Sequence, residues 1–169
     1  EGNNIWCMKL SDNPDVDEEE IELLFTSLTH AREPAAMEAL FYFFDYLTNN
    51  YSAGSGNEAT TLLDEREFYW IPCMNPDGYL YNEATSPSGG GLWRKNRRDN
   101  GDGTFGVDPN RNFGINWGAD NSGSSPFTDQ PDYRGTAAFS ELETQAYRDF
   151  VESRDFIAAM NYHTYSNLL

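Results

Sequence analysis

The chain has 169 residues, with 28 Asp and Glu against 11 Lys and Arg and a formal net charge of −17. That length fits one domain able to bury a real core, and the acidity argues against nucleic acid or an anionic membrane surface as a partner. Ten Tyr, 11 Phe and four Trp argue against disorder, and no run reads as a membrane span or signal peptide.

In chain order, Ile5 to Leu10 is a short apolar strand candidate, ended by Ser11-Asp12-Asn13-Pro14. The next stretch is acidic, with Asp12, Asp15, Asp17, Glu18, Glu19, Glu20 and Glu22, and reads as a solvated loop. Glu22 to Leu28 is a second strand leading into His30. Pro34 suits the first position of a helix, and Ala35 to Leu47 carries Met37, Leu40, Phe41, Phe44 and Leu47 at helical spacing. Asn49 to Asn57 reads as a polar connection. Glu67 to Met74 is a third strand, stopped by Asn75-Pro76-Asp77-Gly78.

A long irregular stretch is expected from about Tyr79 to Arg134. Loops of that length are usually functional, and Trp93, Phe105, Phe113 and Trp117 within it favour order. Ser140 and Glu143 fit a capping box for a helix running to about Ser153. Phe156 to Tyr162 is then a fourth strand with His163 at its end. The alternation of strands and helices gives an α/β fold. Cys7 and Cys73 are too few for a disulfide scaffold and read as buried free thiols.

The two histidines of the chain, His30 and His163, both fall at the carboxyl ends of predicted strands, where such sheets gather their ligands. Glu33 lies three residues after His30, so one metal can bind both. His, Glu and a distant His form one of the standard sets for a catalytic zinc with an open fourth position. The alternatives are a helix-capping His30–Glu33 pair without metal and a core His163. Five of the 11 basic residues, Arg94, Lys95, Arg97, Arg98 and Arg111, fall between positions 94 and 111 and suggest a site for something anionic, although about half should pair with neighbouring acids. Arg94 and Arg111 suit oxyanion stabilisation and anchoring of a carboxylate, with Asn110 adding a neutral hydrogen bond.

Two further patterns carry less. Gly101 to Gly106 matches G-x-G-x-x-G but is preceded by no strand and opens no helix, so no dinucleotide site is expected. Asp99 to Gly103 has the flavour of a calcium loop yet lacks the twelve-residue pattern and its closing Glu; Ca2+ is a minor expectation beside an ordinary turn.

Taken in order, His30-Ala31-Arg32-Glu33, Asn75-Pro76-Asp77-Gly78-Tyr79, Trp93-Arg94-Lys95-Asn96-Arg97, Gly106 to Phe113 and Tyr162-His163-Thr164-Tyr165-Ser166 resemble the zinc metallocarboxypeptidases of the carboxypeptidase A/B type, especially bacterial ones. The His₂Glu ligand set is already established for carboxypeptidase A. The resemblance implies a partial mixed β-sheet flanked by helices, missing N- and C-terminal elements. It implies one Zn2+ on His30, Glu33 and His163, and Arg94 at the oxyanion. It also implies Asn110 and Arg111 on the substrate's C-terminal carboxylate, Arg32 along its approach, and Tyr165 lining a subsite. The partner would be a peptide or protein with a free C-terminal carboxylate, the setting extracellular or periplasmic, and the oligomeric state is open.

The family's general-base glutamate is expected downstream of the last residue, Leu169. The chain thus reads as one fragment of a catalytic domain, inactive alone. The alternative is a non-catalytic zinc- and carboxylate-binding module of the same fold. A metal-free structural domain is the weakest reading.

Overall fold

The structure, a computed structural model, describes residues 2–165. A four-stranded mixed sheet runs in the order β1-β3-β2-β4, formed by β1 (Met8–Leu10), β2 (Ile21–Thr26), β3 (Arg66–Ile71) and β4 (Ala158–Asn161). Strand β3 pairs with β1 antiparallel, whereas β3–β2 and β2–β4 are parallel. The central strands carry near-continuous apolar runs because both faces are covered. Successive side chains alternate between faces. Phe25, Phe68 and Trp70 meet Leu40, Phe44 and Leu47 of α1 (Pro34–Asn50) and Leu63 of α2 (Glu58–Asp64). Leu24, Tyr69 and Ile71 meet Tyr147, Phe150 and Val151 of α4 (Leu142–Glu152) on the other face. This is the expected α/β class, with helices on both sides of the sheet.

Several local expectations are corrected. The Asn75-Pro76-Asp77-Gly78 run does not merely stop β3; it starts helix α3 (Pro76–Thr85). Asn75 accepts from Gly78 N–H at 3.0 Å, Pro76 fills a position needing no donor, and Asp77 suits the positive helix end. The polar connection expected over Asn49 to Asn57 loses its first two residues to α1, and its last, Asn57, caps α2. The capping box at Ser140 does not form. Glu141 is the N-cap residue without a side-chain cap, Ser140 donates to the Glu141 carboxylate, and Glu143 accepts from Asn96. Cys7 is exposed and Cys73 half-buried, because β1 begins only at Met8 and β3 ends at Ile71.

The acidic run is only partly solvated. Glu22 is buried and accepts from Arg154, which also binds Asp17 and the fully buried Glu67.

Between α3 and α4 the chain is irregular but ordered, and buried asparagines hold it. An amide offers donors and an acceptor together, so it can replace the ladder bonds that irregular backbone lacks. Asn75 donates to Lys95 O at 3.0 Å, and Asn82 donates to Trp93 O while accepting from Trp93 N–H. Asn112 is fully buried, donating to Arg134 O, Ala137 O and Ser140 Oγ and accepting from Glu141 N–H and Thr144 Oγ1. Asn112→Ala strands these groups in the interior and is expected to cost about 2 kcal/mol. A urea denaturation midpoint matching wild type would refute that role.

Candidate metal centre

Register brings the two histidines together. Thr26, the last residue of β2, pairs with Asn161, the last of β4. Both strands run parallel, so the segments after them leave on the same edge. The segment after β2 turns sharply: Leu28 adopts φ 51°, Ala31 N–H donates to Arg94 O, and Glu33 N–H donates to His30 O. Pro34 then opens α1 with Glu33 in the N-cap position. The outcome is a His30–His163 ring-centroid separation of 4.7 Å.

Glu33 lies between the two rings. His30 Nδ1 is 2.8 Å from one carboxylate oxygen, and His163 Nδ1 is 2.8 Å from the other. The Glu33 side chain makes no helix-capping hydrogen bond, so the metal-free capping alternative does not describe it. His30 is buried, whereas His163 is exposed and is not a core histidine. One side of the group therefore faces protein and the other is open.

Asp108 was not singled out by sequence reasoning, although it sits within the Gly106–Phe113 run. It is fully buried, and each of its oxygens is engaged. Oδ1 lies 3.2 Å from His30 Nε2 and accepts from Asn110 N–H at 2.9 Å. Oδ2 accepts from Arg94 Nε and one terminal nitrogen at 3.0 and 2.8 Å. A metal bound at His30 Nδ1 would leave Nε2 to donate to Asp108, an arrangement that orients the ring. The only sequence signal was an acid two residues before the expected carboxylate clamp.

These contacts set the electrostatics. Burial would raise the Glu33 carboxyl, but hydrogen bonds from His163 and His30 outweigh it and hold it down to about 2. Burial likewise opposes ionisation of Asp108, yet His30 and Arg94 keep it below the usual carboxylate range. For His30, burial favours the neutral ring, while Asp108 and Glu33 together raise its affinity for a proton.

The remaining expected residues are distributed around this group. Asn110 and Arg111 form the short 3₁₀ turn Pro109–Arg111 directly after Asp108. Arg111 donates to Asn110 O at 3.0 Å, and its buried Nε has no partner. Arg32 is half-buried and its Nε is also unpartnered. Tyr165 is 83% exposed at the edge of the described residues, and Ser166 lies outside them. In the basic segment Arg94 and Arg98 pair with Asp108 and Glu141, whereas Lys95, Arg97 and Arg111 have no carboxylate partner among the described residues.

Among the described residues, the ligand atoms of His30, Glu33 and His163 lie within 4.8 Å of one another. Two imidazole nitrogens and a carboxylate, one ring fixed by a buried acid and one side open, fit a three-ligand zinc site. Asp99 and Asp102 instead accept from the N–H groups of Gly101 and Thr104 within their own turn, which ends at the Asp99–Phe105 bridge. That turn also contains the G-x-G-x-x-G match, with no helix after it.

The zinc carboxypeptidase family model matches residues 1–169. A zinc carboxypeptidase of Saccharothrix mutabilis subsp. capreolus is 43% identical over 118 residues, covering 70% of this chain and 26% of that protein. Mast cell carboxypeptidase A of Rattus norvegicus is 34% identical over 175 residues, covering 100% of this chain and 39% of that protein. The chain thus spans well under half the length of these relatives. Among solved structures, thrombin activatable fibrinolysis inhibitor superposes with a TM-score of 0.79 at 30% identity, covering 96% of this chain and 39% of that one. Carboxypeptidase A from Helicoverpa armigera gives 0.77 at 27% identity, covering 96% and 38%. The fold, the converging histidines and the match over the entire sequence agree: the chain belongs to the zinc carboxypeptidase family.

Proposed function

We propose that these residues form the metal- and carboxylate-binding part of a metallocarboxypeptidase that hydrolyses the C-terminal peptide bond of peptides and proteins. The reading rests chiefly on the convergence of His30, Glu33 and His163 beside Arg94 and the Asn110–Arg111 turn. One zinc would be held by His30 Nδ1, the Glu33 carboxylate and His163 Nδ1. When bound in such a site, zinc supplies a Lewis acid for the scissile carbonyl and acidifies water.

The protein groups divide the remaining work. Asp108 engages two nitrogens of Arg94, which leaves the other terminal nitrogen to face the carbonyl oxygen as charge develops there. Arg111 and Asn110 bind the free C-terminal carboxylate, which fixes the scissile bond one residue away. Arg32 guides the preceding residues, with Tyr165 on the outer rim. Calcium has no role in this scheme.

The two carboxylates touching the imidazoles are already committed. Glu33 faces both rings, and Asp108 holds His30, Asn110 and Arg94. Neither is free to take a proton from water, so the general base is a further group outside this pair. The 169 residues by themselves are expected to bind substrate without turning it over; sustained release of C-terminal residues by them would refute this. We place the enzyme in an extracellular or periplasmic setting, as an acidic zinc peptidase. Among the described residues no helix is long and apolar enough to cross a membrane.

The decisive test compares a peptide with a free C-terminus and the same peptide amidated. The free acid should bind at least ten-fold more tightly, and Arg111→Ala should erase most of that difference. Equal binding of acid and amide by the unaltered protein would overturn the proposed function.

A further inference from the structure

Among the described residues, six of the 11 basic side chains are ion-paired to carboxylates: Lys9, Arg66, Arg94, Arg98, Arg148 and Arg154. In a chain with 28 acids, an unpaired cation is therefore informative. Arg32, Lys95 and Arg97 lack such a pair, and all three line one cavity of about 550 Å3. Arg94 lines it too. Through Asp108 this cavity is tied to the metal group on one side and to the turn carrying Arg111 on the other.

Two of the three cations are held in place without an acid. The Arg97 guanidinium carbon sits 3.7 Å from the centre of the Tyr81 ring, 4.4 Å from Trp93 and 4.8 Å from Phe105. Aromatic stacking fixes the plane of a guanidinium while leaving its N–H edges available. Lys95 is buried and donates to Thr128 O at 2.7 Å, which uses one of its three protons. Arg32 contributes the buried, unpartnered Nε from the loop of the metal group. Opposing them, Asp129 lines the same cavity, and Asp102 lies behind it, accepting from Thr104 and Thr128. Positive charge prevails at the wall.

We propose that this cavity is a specificity subsite for an acidic side chain, Asp or Glu, carried by the substrate residues that precede the scissile bond. With the C-terminal carboxylate on Arg111 and the scissile bond at the metal group, the upstream residues reach Arg32 and then the stacked Arg97. A carboxylate there can accept two parallel N–H bonds along one in-plane edge of the guanidinium, and the flanking rings cover the methylenes of a Glu side chain. This inference rests on the carboxypeptidase reading.

The test uses the zinc-loaded full chain and paired peptides carrying Glu or Gln two or three residues before the C-terminus. Each ends in a reduced, non-hydrolysable C-terminal bond, and isothermal titration calorimetry reports binding. The Glu peptide is expected to bind about ten-fold tighter than the Gln peptide at low salt, with the advantage shrinking as ionic strength rises. Arg97→Gln should remove most of that advantage while leaving the Gln peptide's affinity unchanged. Arg32→Gln provides a second arm on a different loop, should Arg97→Gln unfold. Equal affinity for Glu and Gln peptides overturns the subsite, as does an advantage that survives both substitutions. C-terminal amides of both peptides separate the two levels. If amidation still weakens binding, the carboxypeptidase reading stands without the subsite; if it does not, that reading itself fails.

Discussion

Replacing Asp108 with alanine is expected to weaken zinc binding by about ten- to a hundred-fold, although Asp108 is not among the proposed ligands. Its Oδ1 faces His30 Nε2 at 3.2 Å, which would favour the tautomer that offers Nδ1 to the proposed zinc. Without that carboxylate the ring can rotate or carry its proton on Nδ1. The substitution also strands Arg94, whose side chain is only 16% exposed. Asp108→Asn keeps the shape and one acceptor, and should fall between wild type and alanine. His163→Ala, which removes a ligand outright, should weaken binding further and drop the zinc content below one ion per chain. Competition with a chromophoric chelator reads the affinities, and far-ultraviolet circular dichroism reports whether the variants remain folded. A folded Asp108→Ala protein with wild-type zinc affinity would remove Asp108 from the site. Full zinc occupancy in His163→Ala would dismantle the ligand set.

The contrast between Asp108 and the histidines marks what the sequence can reveal. His30 and His163 were legible because strand ends are legible: an apolar run leading into a loop residue fixes which edge of the sheet a side chain leaves from. The parallel pairing of β2 with β4 then did the rest. Asp108 precedes a three-residue turn rather than a strand, and nothing in its neighbours signals that it is fully buried. The same blindness to depth explains Glu22, read as part of a solvated acidic run but buried against Arg154. Helix α3 was missed for a different reason. Asn, Pro, Asp and Gly are turn formers, yet the first three are also helix starters. The choice between turn and helix rests on the residues downstream, and Tyr79–Thr85 has little helical periodicity to settle it. Aromatic residues suggested correctly that the long loop is ordered. The agents of that order are Asn75, Asn82, Asn96 and Asn112, whose amides look like ordinary loop composition until their partners are known.

The largest stability effect is expected at Arg154, far from the metal group. This side chain binds Asp17 at 2.7 Å, Glu22 and Glu67, and its guanidinium carbon lies 4.7 Å from the centre of the Tyr69 ring. Glu67 is fully buried, and the Glu22 side chain is only 11% exposed. Arg154→Ala would leave both acids in the sheet without their shared cation, so a loss of about 3–5 kcal/mol is expected. Lys9 remains on Glu67 at 2.7 Å and limits the damage there, which makes Glu22 the more exposed partner.

The pH dependence supplies an independent check. Burial would raise the Glu67 carboxyl, but Lys9, the Glu18 N–H and the Tyr69 hydroxyl together hold it below its ordinary value. A carboxyl lowered in the folded state adds stability that is complete above its unfolded value of about 4.3 and disappears as pH falls through the folded one. Wild type should therefore lose stability on acidification below about pH 4. Glu67→Gln, already weakened at neutral pH because Lys9 and Arg154 lose a partner, should lose less. The two urea-midpoint curves should converge toward acid. If they instead run parallel from pH 7 to pH 3, folding does not lower the Glu67 carboxyl, and the charge network around Arg154 would have to be redrawn.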